Sequence, residues 1–233
     1  MTKTAVLIDG NYFLKRARKL WGDVDPESRA AQCHAYALQH IAIPRKKIVE
    51  CGDRSLYRIF YYDCPPLSKG TFKQPWSAHN TVFSAKNPSN VWMSDYHSIL
   101  GSKRKVAMRM GELRAANAHY NFKQESLKKL LSGELLVSDL QENDYTLVGL
   151  KQSGVDMRIG LDVASLAHQR LVDQIILVAG DTDFIPVAKA ARKAGLDFLI
   201  DPMGHRLPHD LVLQTDGVED ISIDFDPRNN QLR

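Results

Sequence analysis

The stretch "IILVAGDTDFIPVAKAARKAG", Ile175 to Gly195, decides the fold. Its first residues form a near-continuous apolar run of the kind a parallel sheet buries on both faces. Gly180 ends the run, Asp181 and Asp183 flank Thr182, and from Phe184 apolar residues recur at helical spacing. Gly195 stands where a helix C-terminal glycine belongs, and Leu196 to Asp201 reads as a further strand. Strand, acidic turn, helix and strand make a βαβ unit, which implies an α/β domain with a mostly parallel sheet. The two carboxylates need a reason of their own. Asp183 could simply cap a helix that carries Pro186 in its first turn.

The same rhythm appears on either side. "TAVLIDGN" is a buried strand ending at Asp9, and "LYRIFYYD", Leu56 to Asp63, is a β-branched and aromatic strand that stops before Pro65-Pro66. Helices are expected over Tyr12–Leu20, over Arg29–Ile43 with Pro44 as its stop, and from about Leu161 to Leu171 before the strand Gln174–Gly180. Between residues 67 and 143 the rhythm fades. This stretch reads as a basic insertion in a single domain of residues 1–226, with its own strand near Val106–Met110 and a helix near Lys123–Leu131. Residues 227–233 read as a frayed tail.

Charge is unevenly spread. Between Pro65 and Leu150 there are eleven Lys/Arg against seven Asp/Glu, which accounts for the whole net charge of +4. A locally basic segment on a neutral scaffold suggests a polyanion partner, although a solvated face has the same composition. "GSKRKVAMR" offers Lys103, Arg104, Lys105 and Arg109 as phosphate contacts. Phe72, Trp76 and Trp92 could stack on unpaired bases or form a small core of the insertion.

Several classes drop out. No apolar run approaches the roughly eighteen residues of a membrane span, so no membrane partner is expected. The chain begins directly on a strand, without the pattern of a secretory leader. Cys33, Cys51 and Cys64 share no CxxC spacing and read as reduced thiols of a cytoplasmic protein, not as a zinc site. The eight histidines show no paired spacing. No Gly-rich phosphate loop follows the first strand, which excludes a dinucleotide-binding domain. A Toprim-like site would want glutamate at Asp9, and a haloacid-dehalogenase-like site a second Asp at Asn11.

Ligands of open α/β sheets bind outside the carboxyl ends of the strands, where the strand order reverses. Asp9 and Asp181 end strands, Asp183 follows, and "GVDMRIGLDVASLAHQR" adds Asp156 and Asp162, the latter expected at the start of a helix. Converging carboxylates repel, so such a set needs cations to offset it. Hard oxygen donors without His or Cys suit Mg²⁺ or Mn²⁺, which typically engage phosphate oxygens as well. Lys151 is the nearest basic candidate for that phosphate, and Thr182 could orient Asp181 or a water.

"LIDGNY", "RIFYYDCPP", "LKQSGVDMRIGLDVASLA" and "LVAGDTDFIPVAKAARKAG" together resemble the motif set of NYN domains, in the LabA-like branch of the PIN-like nuclease superfamily. The resemblance spans Thr4–Asp63 and about Thr146–Ile221. It implies a three-layer α/β/α fold and a Mg²⁺- or Mn²⁺-dependent endoribonuclease leaving 5′-phosphate and 3′-hydroxyl ends. By motif position Asp9, Asp162, Asp181 and Asp183 match the family's acidic site, with Asn11 and Asp156 in support. The expected partner is RNA, with room for a homodimer. The alternative is a regulator that binds RNA on the same fold without cutting it.

Overall fold

The computed structural model describes residues 1–42, 53–115 and 117–232. Six parallel strands form the central sheet: β1 (Thr2–Asp9), β2 (Arg54–Asp63), β3 (Val106–Met110), β4 (Gln174–Val178), β5 (Asp197–Asp201) and β6 (Gly217–Val218). Their spatial order is β6-β5-β4-β1-β2-β3. The chain therefore builds outward from β1 to one edge, returns, and builds outward again to the other. The reversal falls between β1 and β4, whose registers run from Thr4 beside Gln174 to Ile8 beside Val178.

Side-chain alternation divides the core in two. Ala5 and Leu7 of β1, with Phe60, Tyr62, Ile175, Leu177 and Phe198, pack against helices α5 (Val155–His168) and α6 (Ile185–Lys193). Val6 and Ile8, with Ile59 and Tyr61, face α1 (Gly10–Trp21), α2 (Pro26–Ala42) and α3 (Pro88–Ser102). Helices on both faces of a parallel sheet make the expected three-layer α/β/α architecture.

The stretch 67–143 is not simply an insertion. Its strand β3 joins the central sheet beside β2, from Ile59 opposite Val106 to Asp63 opposite Met110, and α3 packs in the helix layer through Tyr96 and Leu100. Every residue of β3 is only partly buried, so this edge strand lacks the dense apolar signature of β1 or β4. Outside the layers stand the antiparallel ribbons Lys69–Lys73/Asn80–Ser84, Glu112–Arg114/Lys151–Ser153 and His119–Phe122/Tyr145–Val148, together with helix α4 (Gln124–Leu131). Trp76 packs edge-on to Tyr120, 4.7 Å between centroids, and against Tyr145 at 5.2 Å, in a small aromatic core of these ribbons.

Helix boundaries differ where the start signal is a proline or a glycine. α2 begins at Pro26 instead of Arg29, with Asp25 accepting a hydrogen bond from the Ser28 amide at 2.9 Å. Its expected stop at Ile43 and Pro44 lies outside the described residues. α5 begins at Val155, six residues before Leu161, directly after Gly154 in the left-handed region at φ +81°. The tail is not frayed: Gln231–Leu232 pairs antiparallel with Phe225–Asp226, and Leu232 packs against the α2 side of the core.

Candidate acidic site

The parallel sheet places the last residues of β1, β2 and β4 on one edge. Asp9 ends β1 and caps α1, its Oδ1 accepting the Tyr12 amide at 3.1 Å. Asp181, just past β4, caps the turn Thr182–Phe184 by accepting the Asp183 amide at 3.1 Å. The cap in the acidic turn is therefore Asp181, and Asp183 extends an exposed carboxylate from inside the turn. Gly180 is needed for close packing: a Cβ there would stand 2.7 Å from the Tyr12 hydroxyl, which donates to the Pro202 carbonyl at 2.6 Å.

Asp156, in the first turn of α5, completes the edge. Burial raises its pKa above the usual carboxylate value, and the charges of Asp181 and Asp183 raise it further. Asp9 is pushed from 3.8 to about 6, chiefly by burial, against the lowering effect of the Tyr12 amide and with added repulsion from Asp156 and Asp63. Asp156 thus lies within electrostatic reach of Asp9 on one side and of Asp181 and Asp183 on the other. Among the described residues none of these four carboxylates forms an ion pair.

Asp162 is not with them. Because α5 starts earlier than expected, Asp162 lies about 9 Å further along the helix than Asp156 and on another face. It accepts Tyr62 Oη–H at 2.9 Å and pairs with Arg109 Nε at 2.8 Å, while the Arg109 guanidinium lies 5.0 Å over the Phe60 ring. Arg109, expected as an RNA contact, is thus engaged by an acid on the sheet face.

Asp63 is absent from the expected acid set, although it ends β2 as Asp9 ends β1. It is almost fully buried and accepts the Cys64 amide at 2.7 Å, Gln152 Nε2 at 3.2 Å, His97 Nε2 at 3.1 Å and the Tyr61 hydroxyl at 3.3 Å. The pattern of a strand closing on aspartate is visible in "YYDCPP"; the partner His97 is not.

The basic candidates scatter. Lys103, Arg104 and Lys105 form the turn from α3 into β3, at the amino end of a parallel strand and so at the edge opposite the acids. His34 Nε2 lies 3.1 Å from the Arg104 carbonyl, and Lys105, at φ +64°, reaches the Leu56 carbonyl with its Nζ. Lys151 precedes Gln152 in a strand; alternation turns it away from Asp63, which Gln152 touches. Arg158 is better placed: it is exposed in the second turn of α5, donates to the Met110 carbonyl at 3.0 Å, and its charge reaches Cys64. Thr182 is exposed in the acidic turn, and Asn11 is half-buried on the first turn of α1.

A family model of the NYN domain matches residues 76–210. The chain belongs to the NYN domain family. NYN domains are part of the PIN-like nuclease superfamily, whose members generally use divalent metals, and NYN nucleases act on RNA. The matched span holds β3, α5, β4, the acidic turn and β5, and includes residues 76–145, which the motif resemblance does not span; Asp9, Asn11 and Asp63 precede it. Comparison with curated proteins and with solved structures gives no match. No helix among the described residues is long and apolar enough to cross a membrane.

The donors at this NYN edge suit a hard cation, being carboxylate oxygens, and the raised pKa values of Asp9 and Asp156 reflect burial together with repulsion from neighbouring acids. Their spacing is open: among the described residues no three His, Cys, Asp or Glu side chains converge tightly enough to hold a metal ion. Repelling carboxylates stand apart, and a bound cation would draw them together.

Proposed function

We propose that the protein is a divalent-metal-dependent endoribonuclease of the LabA-like type, leaving 5′-phosphate and 3′-hydroxyl ends. The observation that carries this reading is the uncompensated carboxylate set Asp9, Asp156, Asp181 and Asp183 at the reversal of strand order, where open α/β sheets place their ligands. These four side chains, without Asp162, would hold Mg²⁺ or Mn²⁺. Such an ion would offset phosphate charge and lower the pKa of an attacking water. Asp9 and Asp181 are held in place as caps on their own turns, and Asp63 is fixed by its four donors beside Asp9. Arg158, exposed on α5 two residues after Asp156, would take the place of Lys151 as a cation for the RNA backbone. A cytoplasmic location fits the free, buried Cys33 and Cys64.

The second reading, an RNA-binding regulator without turnover, is favoured by the open spacing of the acids. A labelled RNA incubated with the protein in EDTA and then with Mg²⁺ or Mn²⁺ separates the two. Cleavage restored by metal and abolished in Asp181→Asn supports the nuclease; binding without cleavage in any metal sinks it.

A further inference from the structure

A groove of about 310 Å³ opens beside Asp63, between α1, α3 and the ribbon that carries Gln152. Small-molecule sites run from about 300 to 1,000 Å³, so this groove has room for one nucleoside and none for a duplex. Its walls are apolar, with Leu14 on α1, Met93 on α3 and Pro66 after β2. Polar groups join them, with Asn11, Asp63 and Gln152 also in the lining. Gln152 donates from Nε2 to Asp63, which leaves its carbonyl oxygen as an acceptor, and the Asn11 carboxamide has no hydrogen bond among the described residues.

Apolar faces closing on two carboxamides match the chemistry of a nucleobase, which buries a flat ring and presents donors and acceptors on one edge. The mouth has a matching cation. Arg18 is half-exposed, its guanidinium lies 5.3 Å over the Trp92 ring, and its ion pair with Asp23 is a loose 3.6 Å. Among the described residues its remaining N–H groups have no other partner and could meet a phosphate. The groove lies at the acid edge: Asp63, which lines it, follows Tyr62, the register partner of Asp9.

We infer that this groove holds one unpaired base of the RNA, next to the phosphodiester at the carboxylates, with Asn11 and Gln152 on the base edge and Arg18 on the adjoining phosphate. The inference rests on the proposed RNA substrate and entails single-strand preference, since a paired base cannot enter.

The test uses binding, so that it does not depend on turnover. Fluorescein-labelled single-stranded RNA, intact or carrying one abasic position at successive sites, is titrated against the full-length Asp181→Asn chain by anisotropy. One abasic site in the series is expected to weaken binding about tenfold, within the range for removal of one held base, and the others little. Ser89→Trp and Leu150→Trp fill the groove from opposite, exposed positions. Each is expected to bind intact RNA as weakly as the abasic RNA and to show no further loss with it. Equal binding across the abasic series, or no binding to any RNA, overturns the groove whatever the variants do. Cleavage by the wild-type chain without base dependence leaves the nuclease standing and sinks the groove. Base-dependent binding without cleavage in Mg²⁺ or Mn²⁺ does the reverse.

Discussion

Two groups of acids stand on the carboxyl edge of this sheet, and they differ in what surrounds them. Asp201 ends β5 and is fully buried, yet it accepts hydrogen bonds from the Tyr36 hydroxyl, the Met203 amide at 2.7 Å and His40 Nε2 at 2.9 Å. The other His40 nitrogen meets Glu219 at 2.8 Å, and Arg54 holds Glu219 with two bonds of 2.7 Å. Each acid has a cation from the chain itself. Two strands away Asp9 meets carboxylates instead, and its neighbours Asp156, Asp181 and Asp183 have no ion pair among the described residues. A buried carboxylate with its counterions inside the fold is architecture. One without them needs a proton or a cation from outside.

The sharpest way to break this comparison is to move the boundary of the uncompensated group. Asp156→Ala is expected to lower kcat for RNA cleavage by at least about a hundredfold, as removal of a group that would hold the metal should. Asp162→Ala is expected to cost only a few-fold, because it removes a half-exposed pair worth about 1 kcal/mol or less. Single-turnover cleavage of the two variants decides it. Equal losses would put Asp162 back in the site and discredit the observed pairing with Arg109.

The compensated group should answer in stability. His40 is opposed by burial, but the carboxylates on both nitrogens outweigh it and bring its pKa up to about 9. A raised value means the bound proton stabilises the fold fully below the unfolded value of 6.5, and that this contribution fades as pH rises through about 9. His40→Gln leaves Asp201 buried without its cation, and breaking such a pair costs about 3–5 kcal/mol. Urea unfolding at pH 6 and pH 9.5 should show the full gap at the lower pH and a smaller one at the higher. A gap independent of pH would mean that His40 acts by shape alone.

At Asp9 the pH linkage has the same sign, but removing the charge should stabilise where His40→Gln destabilises. Its folded pKa of about 6 lies above the unfolded 3.8, so the proton that stabilises the fold is fully bound below 3.8 and lost through about 6. Above that pH the ionised carboxylate destabilises the metal-free protein by up to about 3 kcal/mol. Asparagine caps a helix as well as aspartate does. In EDTA, Asp9→Asn is therefore expected to melt higher than wild type at pH 7.5 and close to it at pH 4. A lower melting point at pH 7.5 would make Asp9 structural and erase the contrast with Asp201.

The contrast also marks what the amino-acid order could reveal. β1, β2, β4 and β5 announce themselves because parallel strands buried on both faces need long runs of Val, Ile and Leu or aromatic residues. The strand-end acids Asp9 and Asp181 follow from those runs. α3 was not legible, because Asn, Ser, His and Gly dilute its apolar face to Tyr96, Leu100 and a few partly buried residues. Asp162 was misplaced through one wrong helix start, since six residues change both depth and face. The His40 network leaves no local trace at all: its partners Asp201 and Glu219 lie 161 and 179 residues away in the chain.

The smallest expected effect concerns the basic turn Lys103, Arg104 and Lys105, the densest positive run in the chain. β3 separates it from the acid edge by five residues, or roughly 16 Å of strand. An RNA seated on the carboxylates reaches this turn only by running the length of the sheet. Changing the three residues together to Ala is therefore expected to leave the binding of an RNA of about five nucleotides unaltered at every salt concentration. An RNA of about thirty nucleotides can span the distance, and there the salt slope should fall by roughly 0.7 for each single-strand phosphate that is no longer neutralised. Cleavage at saturating RNA should be unchanged in both cases, since interactions made equally in the ground and transition states act on KM and leave kcat alone. Filter-binding titrations of both RNAs against wild type and the triple variant give the answer. A lower slope with the short RNA would place the turn beside the acids and contradict the parallel pairing of β2 with β3. Superimposable lines with the long RNA would confine the RNA to the carboxyl edge, leaving the turn as a solvated surface.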